Sequence, residues 1–266
     1  MSHEKLPIVL TGVSSGIGAR TAETLARRGV PLIGIDRNPP SEFSGTFVQA
    51  DLSSQAGVEA AAAAVAAAAR DGIAGLANIA GVPGTAPWRT VLAVNVFGVR
   101  GLVRALAPLL QEGGAVVNLA SSVAVNWRDV KEKCSAFALA ADQASALDSM
   151  ADDEEVTGES YLFSKQCVRV LTEHLAAELL PQRIRVNSVS PGPVATPILE
   201  DFKKDHGRDK VEGAGALLGR FGEPDDIASV IDFLLRPESG WVNGSDIRVD
   251  GGLGAYRGSG LAALAG

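Results

Sequence analysis

Between residues 7 and 29 the hydrophobic period of the chain changes once, and that change constrains the whole fold. Ile8-Val9-Leu10 is a short apolar run with β-branched members, long enough for one buried strand. Thr11-Gly12 ends it, and glycines at 12, 16 and 18 bracket Ser14 and Ser15. Glycine has no Cβ, so the backbone turns tightly there and an anion can approach it closely. From Ile17 the pattern becomes helical: Ile17, Thr21 and Leu25 share a face with Ala22 and Ala26, and Gly29 stands where a C-cap glycine is expected. Strand, glycine bend and helix N-terminus together make an anion site, because free N–H groups and the helix dipole point at the same place.

The glycine spacing is G-x-x-x-G-x-G, not the dinucleotide fingerprint G-x-G-x-x-G. Taken bare, such a run also occurs in ordinary loops. Its neighbours favour a dinucleotide. Residues 30–35 form a second apolar run, and Asp36 ends it 18 residues after Gly18. That is close to the ~20-residue spacing at which an acidic side chain meets ribose hydroxyls. The plainer role for Asp36 is a turn residue before Asn38-Pro39-Pro40; beside the glycine bend the ribose role is preferred.

At 266 residues the chain fits one large α/β domain. It carries 24 basic and 31 acidic side chains, a formal charge of −7, and 46% of its residues are hydrophobic. A soluble globular protein is expected, and an acidic balance without a basic cluster argues against nucleic acid as partner. Cys134 and Cys167 are far apart, and His3, His174 and His206 are scattered, so neither a disulfide framework nor a metal site is expected. The polar start, Met1-Ser2-His3-Glu4-Lys5, leaves no room for a signal peptide before the first strand. No apolar run reaches ~18 residues free of charges and breakers, so no membrane span is expected. A cytoplasmic, reducing location follows.

Residues 47–50 read as a third strand, closed by Asp51-Leu52. Asp51 either lies near a bound adenine or caps the next helix together with Ser53 or Ser54. Residues 55–70 are an alanine-rich helix, 73–79 a fourth strand ending in Asn78-Ile79-Ala80-Gly81, 88–110 one long helix containing Asn95, and 115–119 a fifth strand running into Ala120-Ser121-Ser122. Strands alternating with long helices imply a parallel sheet, whose ligands gather at the strand C-terminal ends. Gly12, Asp36, Asn78 and Ser121 all stand there. Residues 126–160 break the rhythm, with one or two short helices expected and the acidic run Asp152-Asp153-Glu154-Glu155 as a solvated face. A periodic helix follows over 159–180, then a sixth strand over 183–190 and a rigid loop, Pro191-Gly192-Pro193-Val194-Ala195-Thr196-Pro197. Residues 198–219 read as glycine-broken helix and 245–249 as the last strand. The Gly/Ala-rich tail, 253–266, is expected to be disordered or to cross to a partner subunit.

Tyr161 and Lys165 stand four apart on one helix and share a face. A phenol is a poor base at neutral pH, but a neighbouring ammonium favours the phenolate. The pair is competent as general acid/base for an alcohol or carbonyl. Such a pair also arises by chance, as a packed ring and a solvent-facing amine, and gains meaning from its company.

That company is Thr11-Gly12-Val13-Ser14-Ser15-Gly16-Ile17-Gly18, Asn78-Ile79-Ala80-Gly81, Asn95, Asn118-Leu119-Ala120-Ser121, Tyr161-x-x-x-Lys165, Pro191-Gly192-x-Val194-x-Thr196 and Asp250-Gly251-Gly252. In this order, and over the whole chain to Gly252, the set resembles the short-chain dehydrogenase/reductase family. The resemblance implies a single-domain, Rossmann-type, doubly wound α/β fold over 1–252, with about seven parallel strands and helices on both faces. It implies a dinucleotide held by Gly12, Ser14, Ser15, Gly16, Ile17 and Gly18 at its phosphates, and by Asp36, Arg37, Asp51 and Leu52 around its adenosine. Asn78, Ala80 and Gly81 would line its middle. Tyr161, Lys165, Pro191, Gly192, Val194 and Thr196 would meet its nicotinamide half. A proton relay of Asn95, Ser121, Tyr161 and Lys165 is implied. Tyr161 would exchange the proton, Ser121 hold the substrate oxygen, Lys165 bind the nicotinamide ribose and lower the tyrosine pKa, and Asn95 hold a relay water.

Two departures stand out. Ile79 replaces the second asparagine of the family's Asn-Asn-Ala-Gly, and Ser121 precedes Tyr161 by 40 residues, a longer gap than usual. Ser122 is the minor alternative to Ser121. The long 126–160 insertion resembles the subgroup of bacterial 3α-hydroxysteroid dehydrogenase/carbonyl reductase and coniferyl-alcohol dehydrogenase. The insertion would roof the substrate site, with Trp127 and Phe137 either lining an apolar pocket or anchoring the inserted helices, and 197–219 would supply substrate-loop helices. The carboxylate of Asp36 repels a 2′-phosphate and the glycine bend carries no basic residue, so NAD(H) is favoured over NADP(H). Arg37 leaves some NADP(H) binding open, or else stacks on adenine or faces solvent. The expected protein is an NAD(H)-dependent oxidoreductase, a homodimer or homotetramer, acting on an aromatic or benzylic alcohol or a hydroxysteroid or cyclic ketone. A regulator that keeps the dinucleotide fold without turnover is the alternative.

Overall fold

A computed structural model of the chain describes residues 6–259; the polar start with His3, and the end of the tail, 260–266, lie outside them. Seven strands form one parallel sheet in the order β3-β2-β1-β4-β5-β6-β7. They are β1 (Ile8–Thr11), β2 (Leu32–Asp36), β3 (Thr46–Gln49), β4 (Ile73–Asn78), β5 (Leu110–Leu119), β6 (Arg185–Pro191) and β7 (Asp246–Val249). The order runs outward from β1 on one side and from β4 on the other. The crevice at the strand C-termini therefore opens between these two, where the winding reverses. β5 begins earlier than its apolar run suggests, because Leu110 pairs with Ile73 before the register shifts.

The strand residues alternate between two cores. On β1, Val9 packs with Ile33, Ile35, Leu76 and Leu102 on one face, while Ile8 and Leu10 pack with Leu25, Ile227 and Ile231 on the other. The second face is covered by α1 (Gly16–Arg27) and α11 (Pro224–Leu235), which touch each other extensively. α11 starts on a capping box between Glu223 and Asp226, with Pro224 inside its first turn. The first face is covered by α2 (Gln55–Ala68), by the helices around Asn95 and by α8 (Ser160–Leu179).

The helix expected over 88–110 is not uniform. It runs through α3 (Trp88–Leu92), a π-helical segment (Ala93–Gly98), α4 (Val99–Leu106) and a 3-10 turn (Ala107–Leu109). π segments carry no compositional signature and recur at functional sites; this one holds Asn95. By length and composition the stretch Trp88–Leu109 is apolar enough to cross a membrane, which the sequence reading did not anticipate; 61% of its most apolar window is buried inside the protein.

The insertion forms three short helices rather than one or two: α5 (Lys131–Ala138), α6 (Gln143–Ser149) and α7 (Glu154–Gly158). The acidic run is more than a solvated face. Asp153 accepts a hydrogen bond from the Val156 N–H at 3.1 Å and pairs with Lys133 at 2.5 Å, with Glu154 and Glu155 in the first turn it caps. Trp127 and Phe137 are anchors, not pocket walls: they are 3% and 2% exposed and belong to the first core. Phe137 sits between Phe97 and Phe163, with centroids at 5.0 and 5.4 Å, and so fastens the insertion to the π segment and to α8. The remaining helices are α9 (Leu199–His206) and α10 (Arg208–Leu218) after the rigid loop, and α12 (Leu253–Gly258), which orders the start of the tail.

Candidate active site

The glycine bend is built as its spacing requires. Gly12 and Gly16 take positive φ values of 77° and 55°. A Cβ on Gly12 would come within 2.9 Å of the Ala80 nitrogen, and one on Gly18 would overlap the Gly12 carbonyl. Thr11 does more than end a strand. Its Oγ1 accepts the N–H groups of Ile79 and Ala80, both at 2.9 Å, and ties the tips of β1 and β4 together. Ser15 places no side-chain cap on α1, and the first turn holds no acidic residue. An uncapped helix end lining a groove is a ready anion site, so the residues present fit a dinucleotide diphosphate.

The groove runs along the strand tips. Ser14, Ser15, Gly16, Ile17 and Gly18 line it with Gly12, and Asp36, Arg37, Asp51 and Leu52 line it at the β2–β3 side. Asp36 is held in place: Oδ2 accepts the Ser14 N–H at 3.0 Å and Oδ1 the Asn38 N–H at 2.9 Å. Asp51 does not cap α2; Ser54 does, accepting from the Gly57 N–H, while Asp51 accepts from the Ser53 N–H. Ala80, Gly81, Ser121, Tyr161 and Lys165 line the groove further on, facing Pro191, Gly192, Val194 and Thr196.

Two expected residues lie elsewhere. Asn78 is turned into the core, because its Nδ2 donates to Asn118 Oδ1 at 2.9 Å; Asn118 Nδ2 in turn donates to Thr172 Oγ1 at 3.1 Å. This buried polar chain registers α8 against the sheet. Asn95 is fully buried and does not line the groove. Its Oδ1 accepts the Val82 N–H at 2.9 Å, and its Nδ2 donates to the Val82 carbonyl and to Ser164 Oγ, both at 3.1 Å. Ser164 Oγ donates to the Tyr161 carbonyl at 2.7 Å. Asn95 thus fixes the loop after β4 and the first turn of α8.

The Ser121 hydroxyl lies beside the Tyr161 phenol and, as a hydrogen-bond partner, favours its ionised form. Lys165 Nζ donates to the Leu119 carbonyl at 2.8 Å and lies 5.5 Å from the centroid of the Tyr161 ring. Gly81 stands close to both Asn95 and Lys165: a Cβ there would lie 3.2 Å from Asn95 Oδ1 and 3.5 Å from Lys165 Nζ. The expected lowering of the tyrosine pKa is not what this geometry produces. Burial pushes the Tyr161 phenol well up, outweighing the Ser121 hydrogen bond, with the Asp205 charge adding to it. The same burial pulls the Lys165 ammonium down to about 8. As found, the phenol is held in its protonated form beside the Ser121 hydroxyl.

Phe202 is a site residue that sequence reading missed. Its ring lies 4.9 Å from that of Tyr161, centroid to centroid, and lines the groove from α9. A glycine-broken amphipathic segment does not reveal which of its residues turns inward. Ser164 and Thr172 were equally silent as small hydroxyls on a helix.

A depressed lysine pKa is a stability statement. Below pH 8 the folded protein holds a buried charge that the unfolded chain solvates, at a cost of about 3 kcal/mol. Between pH 8 and about 10.5 the unfolded chain binds more protons than the folded one, so this contribution to stability rises with pH. Lys165→Met is expected to raise the unfolding free energy by about 2 kcal/mol at pH 7 and by much less at pH 10.5, after loss of the Leu119 hydrogen bond is allowed for. Urea denaturation at the two pH values measures this; an equal difference at both would contradict it.

Comparison with known proteins agrees with this geometry. A family profile described as short chain dehydrogenase matches residues 7–131, and one described as enoyl-(acyl carrier protein) reductase matches 145–254. The interval between them falls in the insertion. The chain is 38% identical to the coniferyl-alcohol dehydrogenase of Pseudomonas sp. strain HR199, over 92% of this chain and 95% of that one. It is 32% identical to the 3-alpha-hydroxysteroid dehydrogenase/carbonyl reductase of Comamonas testosteroni, over 93% and 96%. The crystal structure of the 3-alpha-hydroxysteroid dehydrogenase from Pseudomonas sp. B-0831, complexed with NADH, superposes with a TM-score of 0.84 at 36% identity, covering 95% of this chain and 98% of that one. Fold, groove and relatives agree: the chain belongs to the short-chain dehydrogenase/reductase family and is an alcohol-dehydrogenase or carbonyl-reductase type of oxidoreductase.

Proposed function

We propose that the chain is an NAD(H)-dependent enzyme that interconverts a ring-bearing alcohol, benzylic or alicyclic, with its aldehyde or ketone. The observation that carries this reading is the Tyr161–Ser121 pair, standing where the dinucleotide groove meets a second cavity of about 640 Å³. Both residues line both spaces, and Phe202 supplies an aromatic wall between them. A cavity of that size with apolar walls suits a ring system. The named activities of the relatives, on coniferyl alcohol and on hydroxysteroids and carbonyls, lie in the same range.

The uncapped end of α1 and the glycine bend would hold the diphosphate, Asp36 the adenosine ribose, Lys165 the nicotinamide ribose, and Val194 and Thr196 the carboxamide. When bound, the nicotinamide supplies or accepts the hydride. Ser121 hydrogen-bonds the substrate oxygen and orients it. In reduction the Tyr161 hydroxyl gives its proton to that oxygen; in oxidation it takes the alcohol proton. The Lys165 charge favours the phenolate form that oxidation needs, against the burial that disfavours it. Asn95 acts at one remove, by fixing the turn that carries Tyr161. The same reading expects a homodimer or homotetramer that leaves the α8 face under α5 unused, because α5 already packs there.

A panel of aromatic alcohols and hydroxysteroids with NAD, and of cyclic ketones with NADH, tests the reading by absorbance of the reduced nicotinamide. Turnover of at least one class is expected. Dinucleotide binding without turnover of any class would favour the regulator instead.

A further inference from the structure

We propose that the substrate carries a carboxylate on its ring body, away from the reacting carbon, and that Lys210, Arg248 and Arg257 receive it. The inference rests on the dehydrogenase reading above and concerns the far wall of the same cavity. Ser121, Tyr161, Pro191, Gly192 and Phe202 border both the groove and the cavity and mark the reacting end. Lys210, Arg248 and Arg257 border the cavity alone. Arg248 and Arg257 come from successive elements, β7 and α12, and the fold brings Lys210 to them from α10.

The charge balance of this wall runs against that of the chain. The protein carries a net −7, whereas the cavity is bordered by these three cations and by two acids, Glu159 and Asp250. Asp250 is already committed. Its carboxylate accepts the Gly252 N–H at 3.0 Å and the Gly254 N–H at 2.7 Å, and pairs with Arg248 Nε at 3.3 Å. That pair aims Arg248 rather than neutralising the wall. The absence of a side chain at Gly254 lets the guanidinium lie against the first turn of α12. Lys210 and Arg257 have no carboxylate within ion-pair distance among the described residues.

Much of the remaining lining is apolar, including Val125, Leu162, Leu199, Val211 and Leu253, with Ser122 and Asn126 as neutral polar members. Lys210, Arg248 and Arg257 border the cavity from its solvent-exposed side, so a wholly neutral ring compound filling this space would leave their charge unanswered. A carboxylate at that end accepts their hydrogen bonds, and guanidinium groups match its geometry with paired donors. The ligand class is therefore amphipathic: a ring alcohol or ketone with an acidic arm.

The test compares an aryl-alkanoic acid bearing a hydroxymethyl group, and a fused-ring keto-alkanoic acid, each with its methyl ester. The wild-type enzyme is expected to prefer each acid by about tenfold in kcat/KM, equivalent to about 1.4 kcal/mol, through KM rather than kcat. The preference should shrink in about 0.5 M salt, since the groups are partly exposed. In the Lys210→Met/Arg257→Met double variant the acid-to-ester ratio should fall to near one. A wild-type ratio near one, or a ratio the double variant leaves intact, overturns the inference while ester turnover upholds the dehydrogenase reading. If none of these compounds turns over, the wider panel above decides the dehydrogenase reading, and equilibrium dialysis of acid against ester decides the inference: equal binding overturns it.

Discussion

Tyr161→Phe is expected to lower kcat by about three orders of magnitude in both directions and to leave NADH affinity within about threefold. The substitution removes one oxygen. The ring keeps its place against Phe202, and the backbone keeps its hydrogen bond from Ser164, so the groove retains its shape. What disappears is the proton donor and its hydrogen bond with Ser121. General acid/base groups contribute about 10²–10⁴ in rate, and a phenyl ring cannot substitute. The pH profile adds a second readout. Burial holds the phenol protonated, so oxidation by the wild type should climb with pH as the phenolate fraction grows, whereas the residual rate of the variant should be flat. Stopped-flow absorbance and NADH fluorescence titration separate the two effects. Loss of NADH binding together with activity would make Tyr161 a structural residue of the groove, and an unchanged kcat would remove it from the chemistry.

The parts of this site that could be read from the sequence are those in which the backbone does the work. The glycine bend, Asp36 and the Pro191–Thr196 loop are local: residue type alone dictates a tight turn, a carboxylate at a strand tip or a stiff connection, and all of these line the groove. The parallel sheet followed in the same way from alternating periods. Reading failed where a side chain's direction is set by partners distant in sequence. Asn78 was expected in the groove, but Asn118 on the neighbouring strand draws it inward. The side-chain amide of Asn95 is turned to Val82 and Ser164 rather than into the groove, in a π segment that no composition announces. Trp127 and Phe137 could have lined a pocket or filled a core, and only the packing of α5 on α8 decides for the core. A neighbouring lysine charge, legible from the spacing, would lower the tyrosine pKa; the dominant influence is desolvation, which is a property of the whole fold.

Asp36→Ala is expected to reverse dinucleotide preference, changing the ratio of NAD to NADP efficiency by about a thousandfold. Asp36 stands at the end of β2 with one oxygen on the Ser14 N–H and the other on the Asn38 N–H. Both bonds fix the carboxylate directly against the glycine bend, and each oxygen keeps lone-pair capacity for a ribose hydroxyl. A hydrogen bond to a charged acceptor contributes about 1.5–3 kcal/mol, so losing this acceptor weakens NAD by one to two orders of magnitude. NADP responds in the opposite sense. A 2′-phosphate beside Asp36 meets a like charge, and its removal relieves that repulsion. The two backbone N–H groups released by the substitution then face the phosphate, and the neighbouring Arg37, which also lines the groove, adds a cation. Steady-state kcat/KM for each dinucleotide, at one fixed alcohol concentration, measures the ratio. An unchanged ratio would take ribose recognition away from Asp36 and leave Arg37 or Asp51 to account for it. Weakening of both dinucleotides to the same degree would show that Asp36 holds the glycine bend in shape without distinguishing between them.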